Sequence, residues 1–278
     1  MPHMNFDLHC HSTASDGLLK PAELVARAAA NGVTTLALTD HDDVSGLSEA
    51  RAAAEARGVR FVDGVEVSVS WGGITVHIVG LRIDPGNAAL RSGLESVRES
   101  RAKRAGKIGE ALDAAGVPDS LAGARRYAEN PNLISRSHFA RYLAEAGRAP
   151  DVKSVFRHYL VKGKPGFVAH QWASLADAVG WIRASGGVAV IAHPGRYRLP
   201  RPEMRAFLAE FRDSGGAGLE IVTGSHAPEQ YVEFARLARE FGLLASRGSD
   251  FHGQGESRAD LGALPPLSDD LTPVWHDW

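Results

Sequence analysis

P-A-E-L-V-A-R-A-A-A-N-G-V-T-T-L-A-L, Pro21 to Leu38, reads as a helix, a stop and a strand in direct succession. Proline suits a first helical turn because its fixed φ is already helical and its missing N–H would be unpaired there, and Asn31-Gly32 supplies the stop. Val33 to Leu38 then forms a β-branched and aliphatic strand. The same alternation runs outward from this unit. Asn5 to His9 reads as a strand and Val44 to Arg57 as an Ala-rich helix ended by Gly58. Phe61 to Ile83 is strand-rich and broken by a Gly72-Gly73 hairpin turn. Towards the C-terminus, helices over Ser174 to Ser185, Arg201 to Asp213 and Pro228 to Phe241 alternate with strands over Gly187 to Ala192, Gly218 to Val222 and Leu243 to Ser246. Strands alternating with helices predict an α/β fold with a parallel sheet, and about seven such units predict a barrel whose site gathers at the C-terminal strand ends.

One stretch interrupts the pattern. Between Asn87 and about Gly166 lie helical segments (Leu90 to Ala115, Ser137 to Ala146, Val152 to Leu160) and two Pro-containing turns. The expected organisation is therefore a barrel over residues 1–86 and 167–278, with an inserted helical subdomain over 87–166 lying across its mouth. Arg91 to Phe167 carries 15 Lys and Arg against 8 Asp and Glu, while the whole chain carries −2. A basic segment set against an acidic body suits an anionic substrate held between them.

Composition narrows the remaining possibilities. With 278 residues and 44% hydrophobic content the chain can bury one large core. Cys10 is the sole cysteine, so there is no intrachain disulfide. Between His9 and His11 on a strand it points away from both, as a buried small hydrophobe rather than a soft ligand. The N-terminal M-P-H-M-N-F-D lacks a basic region followed by an apolar run, and no stretch of about 18 apolar residues occurs. A cytoplasmic protein with no membrane association and no obligate protein partner is expected.

Chemistry concentrates at the strand ends. Five clusters follow strand patterns immediately: D-L-H-C-H-S-T-A-S-D (Asp7 to Asp16), T-D-H-D (Thr39 to Asp42), G-V-E (Gly64 to Glu66) followed by His77, A-H-P (Ala192 to Pro194) and S-D-F-H (Ser249 to His252). His9 and His11, two apart on a strand, share a face and can share an ion. Asp16 also suits a turn, Glu66 a strand-end salt bridge, His77 a satisfied core position and His193 a turn cap. Taken singly each bland explanation is respectable, but jointly they require many independent accidents at strand ends. Imidazole with carboxylate is the ligand set of zinc, manganese or iron, so a multinuclear metal hydrolase is the expectation.

These motifs, all in order and spanning most of the chain, resemble the PHP (polymerase and histidinol phosphatase) family. The helical insert and S-R-S-H-F-A-R-Y-L (Ser135 to Leu143) are most similar to its small stand-alone members, the 3′,5′-nucleoside bisphosphate phosphatases and related exonucleases acting on RNA 5′ ends. The resemblance implies a distorted (β/α)7 barrel. It implies three ion positions: His9, His11, Glu66 and Asp250 at the first, Glu66 bridging to a second completed by His77 and His193, and Asp16, His41 and His252 at a third. The third site of the family often has a histidine where this chain has Asp16. Asp40 is expected to orient His41 rather than bind metal. Two or three divalent ions are implied, manganese first, with zinc or iron as alternatives.

On that resemblance a hydroxide bridging two ions attacks phosphorus in line, with Glu66, Asp16 and His41 as catalytic carriers. No G-x-S-x-G or P-loop pattern competes. For a second, uncleaved phosphate the insert offers Arg101 and Arg104, which share a helix face, Ser135, Arg136 and His138 at a helix start, and Lys164 in a G-K-P-G turn. The expected reaction is removal of the 3′-phosphate from a 3′,5′-bisphosphate nucleotide such as pAp. The alternative is a 5′→3′ exonuclease on short RNA or DNA. Weaker candidates are a histidinol-phosphate phosphatase, which would not require two phosphate sites, and a non-catalytic metal-binding module, against which the full ligand set argues. An aromatic fraction of 7%, with no basic-aromatic interleaving, favours a small substrate over a long single strand.

Overall fold

The computed structural model describes residues 4–278, so the first three positions of the N-terminal segment lie outside it. Seven strands, β1 (Phe6–Asp7), β2 (Thr35–Leu38), β3 (Arg60–Trp71), β4 (Ile74–Leu81), β5 (Val188–Ile191), β6 (Gly218–Thr223) and β7 (Leu244–Gly248), pair in sequence order. The sheet curls until its edges meet. Leu8 N donates to Arg247 O at 3.1 Å, Asp250 N to His9 O at 2.8 Å, and Cys10 bridges to Phe251, giving a nearly closed barrel.

The expected parallel sheet needs one correction. β4 runs antiparallel to both β3 and β5, and every other pair is parallel. Its cause is the Gly72-Gly73 turn, with φ of +55° and +76°, which only glycine adopts freely. That tight hairpin returns the chain beside β3 without the crossover helix a parallel neighbour requires. The reversal makes the barrel a distorted one, and it carries His77 back beside Glu66.

Helices α1 (Pro21–Ala30), α2 (Leu47–Glu55), α7 (Leu175–Ala184), α8 (Arg201–Asp213) and α9 (Pro228–Phe241) cover the outside. Leu24, Val25 and Ala28 of α1 pack with Leu36 and Leu38 of β2 in the main core, whereas Ala37 faces an inner cluster with Phe6, Leu8, Val62 and Val274. Alternation along β1 would put Cys10 in that inner cluster too. Instead Cys10 lies beyond the regular pairing, which ends at Asp7, and joins the outer core, fully buried. His9 and His11 consequently face the barrel mouth. Trp275 stacks on Phe6 with ring centroids 4.2 Å apart, so the C-terminal segment caps the inner cluster.

Helices α3 (Ala88–Ala114), α4 (Ser120–Arg125), α5 (Arg136–Glu145) and α6 (Val152–Val155) form the segment that breaks the alternation. α4 has no counterpart in the sequence reading, and the expected helix over Val152 to Leu160 becomes π-helical from Phe156 onward. Leu90 and Leu94 of α3 belong to the barrel's core, but Ala105, Ile108 and Leu112 belong to a second one with Phe139, Leu143 and Val155. A helix of 27 residues is about 40 Å long at 1.5 Å per residue, enough to serve both cores. No helix among the described residues is long and apolar enough to cross a membrane.

Candidate metal centre

All nine histidines and carboxylates expected at the strand ends converge at the barrel mouth. Nε2 of His9 and His11 lie 3.1 Å apart, within 3.6 and 3.4 Å of Asp250 Oδ1 and 3.4 and 3.3 Å of the Glu66 oxygens. Glu66 Oε1 is 3.0 Å from His77 Nδ1 and 2.9 Å from His193 Nε2. Asp16 Oδ1 is 3.4 Å from His252 Nε2 and 3.9 Å from His41 Nε2. The groups overlap: His41 Nδ1 also reaches Glu66 Oε2 at 2.9 Å, and His11 shares a set with Asp16, His41 and His252 whose donor atoms all lie within 4.8 Å of one another.

Backbone strain marks the same place. His193 and Asp250 take φ of +28° and +55° two residues after the ends of β5 and β7, and Asp42 takes +53° in the loop after β2. Non-glycine residues avoid this region at a cost of roughly 1–2 kcal/mol each, so surrounding contacts must impose it. Glu220 is one imposer. It lies where the β6–β7 register shifts, and such irregularities re-aim side chains. Its Oε2 accepts the His193 backbone N–H at 2.5 Å, and its Oε1 accepts from His9 Nδ1 at 2.8 Å, turning Nε2 of His9 into the cluster. The lone charge in the apolar run G-L-E-I-V was its sequence signal.

Asp40 does not touch His41. It accepts from Ser12 N (2.8 Å), Ser12 Oγ (2.6 Å) and Ser15 Oγ (2.5 Å), and so shapes the loop that presents His11 and Asp16. Burial pushes its carboxyl up to about 6, with these donors pulling the other way.

Electrostatics prepare the cluster for a cation. Burial raises carboxyl pKa values, but at Glu66 the neighbouring His77, His9 and His41 outweigh it and hold the group well below the usual range. Asp16 and Asp250 are held low in the same way, by His41 and His252 and by His11, His9 and Arg196. Burial lowers His11 and His193 to about 3, helped by His252 and His41 for the first and by Arg196 for the second. At His9, His41 and His252 burial lowers the imidazole, but the neighbouring carboxylates outweigh it and raise the group, His252 to about 9. The carboxylates are thus ionised, and a cation binding there would displace imidazole protons.

Beside the cluster is a small cleft lined by Arg101, Arg104, Arg136, Ser137, Trp172 and Arg196 together with Asp16, His41, His77 and His252. It encloses about 100 Å³, well below the roughly 300–1,000 Å³ of a site that engulfs a drug-sized ligand. A larger cavity of about 400 Å³ beside Pro194 and Tyr197, between α8 and α9, contains none of the clustered histidines, so volume does not mark the centre.

The six basic and polar candidates divide. Arg101 is spent, paired to Asp42 and bonded to Ser68 Oγ at 2.8 Å. Ser135 Oγ donates to Asp16 Oδ2 at 2.9 Å and caps α5, and His138 Nδ1 accepts from Ser135 N at 3.0 Å. Lys164 is exposed and outside the cleft lining, because its turn lies on the surface. Arg104 and Arg136 are different. Neither forms an ion pair among the described residues; they lie over the rings of Trp172 and Phe156. Burial lowers Arg104 to about 9 and Arg136 to about 10, aided by neighbouring arginines, so both stay charged at neutral pH while an anion between them is favoured. Arg196, absent from the sequence candidates, donates to Asp250 Oδ2 at 2.9 Å and lines the opposite wall.

Comparison with known proteins agrees with this picture. The sequence matches the PHP domain over residues 7–223. It is 52% identical over 273 residues to a 3′,5′-nucleoside bisphosphate phosphatase of Chromobacterium violaceum, covering 98% of this chain and 96% of that protein. It is 42% identical to a 5′-3′ exoribonuclease of Haemophilus influenzae, covering 98% of each. A solved structure from Chromobacterium violaceum, described as an amidohydrolase with bound sulfate and no metal, superposes with a TM-score of 0.95 at 52% identity, covering 98% of this chain and 95% of that one.

Proposed function

This chain belongs to the PHP domain family, and from that premise we propose that it is a metal-dependent phosphatase that removes the 3′-phosphate from 3′,5′-bisphosphate nucleotides. The observation carrying the proposal is the placement of two guanidiniums with no ion pair among the described residues, the buried Arg104 and the partly buried Arg136, in one cleft with the His and carboxylate cluster. One site suits the phosphate being cleaved and the other suits the phosphate that remains.

The donor set fits divalent cations. Asp16 Oδ1, Glu66 Oε2 and Asp250 Oδ1 are buried without a hydrogen-bond partner, all facing imidazole nitrogens. Such oxygens are costly to leave unsatisfied, and a cation would complete them. His9, His11, Glu66 and Asp250 would hold one ion, Glu66, His77 and His193 a second, and Asp16, His41 and His252 a third. Manganese suits this mixed nitrogen and oxygen set, as do zinc and iron. When bound, the ions supply charge neutralisation at phosphoryl oxygens and a water acidic enough to attack at neutral pH.

The chain's own groups do the rest. Glu66 lies within 3.4 Å of ring nitrogens of His9, His11, His41, His77 and His193, so it would be shared between the first two ion positions. Arg104 and Arg136 grip the uncleaved phosphate and fix how far the nucleotide enters. Trp172 and Phe156 back these arginines and keep their guanidiniums facing the cleft. Arg196 steadies Asp250 from the opposite wall.

Phosphate release from pAp, from 3′-AMP and from a 5′-phosphorylated oligonucleotide, each with manganese, tests the proposal. Turnover of pAp should exceed that of 3′-AMP, and Glu66→Ala should abolish it. Equal turnover of the two mononucleotides would remove the two-phosphate requirement. The identity to the Haemophilus exoribonuclease favours a second reading, 5′→3′ exonuclease action on short oligonucleotides. Faster nucleotide release from the oligonucleotide than phosphate release from pAp would make it the principal one.

A further inference from the structure

We propose that Arg141 of α5 is a positioning residue for the Asp16, His41 and His252 site, clasping together the two chain segments that carry Asp16 and His252. The inference rests on the metal reading above. Arg141 is only 6% exposed. Its Nε and Nη2 each donate to the Glu256 carboxylate at 2.8 Å, and Nη2 also donates to the Asp16 carbonyl at 2.6 Å. Glu256 sits in the turn that follows His252, where Ser257 Oγ accepts from His252 N at 2.7 Å. The His252 carbonyl in turn accepts from Leu18 N at 2.6 Å, two residues beyond Asp16.

At the N-terminus of the same helix, Ser135 Oγ donates to Asp16 Oδ2, leaving Oδ1 unpartnered among the described residues and directed at His252. α5 thus holds Asp16 at its backbone and at its carboxylate, and holds the His252 turn through Glu256. None of the hydrogen bonds or ion pairs of Arg141 reaches His9, Glu66, His77, His193 or Asp250. The clasp therefore acts directly on one ion position, and it ties seating of the helical segment to occupancy of that position. Lysine cannot replace the planar fork that spans a carboxylate and a carbonyl together.

The test counts bound manganese per chain by elemental analysis after dialysis against graded free Mn²⁺, for the wild type, Arg141→Gln, Arg141→Lys, Glu256→Gln and Asp16→Asn. Thermal unfolding of each metal-stripped protein is recorded alongside. Arg141→Gln and Glu256→Gln should weaken one ion by about 10–100-fold, the usual effect of removing a group that orients a ligand. Arg141→Lys should recover part of that loss, and kcat on pAp should fall while KM stays within about twofold, since Arg141 does not reach the cleft. Retention of every ion at wild-type affinity in Arg141→Gln, while Asp16→Asn loses one, would overturn the clasp and leave the metal reading intact. If Asp16→Asn loses no ion, the metal reading of this site fails and the clasp fails with it. Uniform weakening of all ions with a lowered melting temperature would show Arg141 to be merely structural.

Discussion

Glu220 locks His9 into one orientation: its Oε1 lies 2.8 Å from His9 Nδ1, which leaves Nε2 of the ring as the atom aimed at the cluster. The second carboxylate oxygen meanwhile accepts the N–H of His193 at 2.5 Å, at a residue whose φ is +28°. One buried carboxylate therefore sets the aim of a ring just after β1 and the strained backbone after β5. Glu220→Gln has one acceptor oxygen where two are used. Metal affinity should fall about 10–100-fold, as when other groups orienting a ligating histidine are removed. Titration calorimetry with Mn²⁺ measures this; unchanged affinity would mean that the carboxylate serves folding alone.

Arg104 and Arg136 should act on substrate recognition rather than on chemistry. A hydrogen bond to a charged partner contributes about 1.5–3 kcal/mol, equivalent to roughly 10–150-fold in binding. Arg104→Gln or Arg136→Gln should raise KM for pAp by that factor and leave KM for 3′-AMP nearly unchanged. Steady-state kinetics on both substrates distinguishes this from general damage, which would affect the two equally.

Gly248 ends β7 against His9. A Cβ there would lie 2.3 Å from His9 Cβ and 2.5 Å from its backbone N, and neither can yield without moving β1. Gly248→Ala should cost about 1–3 kcal/mol through overpacking. Urea unfolding of the metal-stripped protein reads this directly, separate from any loss of metal.

Cys10 is fully buried, and burial together with Asp7, Asp40 and Asp250 pushes its thiol well above the ordinary range. Thiolate is the reactive form, so the native protein should resist a thiol reagent at neutral pH and react only as it unfolds. Rapid native labelling with retained activity would mean that the barrel seam between β1 and β7 opens readily.

Much of the fold was legible because its signals are local. Proline and Asn-Gly punctuate α1, Gly72-Gly73 marks the hairpin, and histidine-carboxylate clusters follow strand patterns. Strand direction is a different matter. The hairpin sets β4 antiparallel to β3, but its antiparallel pairing with β5 was not legible, because hydrophobic periodicity is identical for either orientation. Lys164 looked like a phosphate ligand by charge alone and lies on the surface, because composition carries no direction. Arg101 looked equivalent to Arg104, three residues away, yet Asp42 neutralises one while no carboxylate among the described residues pairs with the other.

By itself the sequence determined the α/β barrel, the nine metal-ligand candidates and the basic character of residues 91–167. Each depends on residue type and short spacing, which the chain carries wherever it folds. Only the tertiary structure decided which charges are spent and which remain free: Glu220 reaching His9, Asp42 neutralising Arg101, Arg141 clasping Asp16 to Glu256. Those pairings join residues 59 to 211 positions apart. Their energies depend on distance and on exclusion of water, and neither exists until the strands have closed into a barrel and buried them.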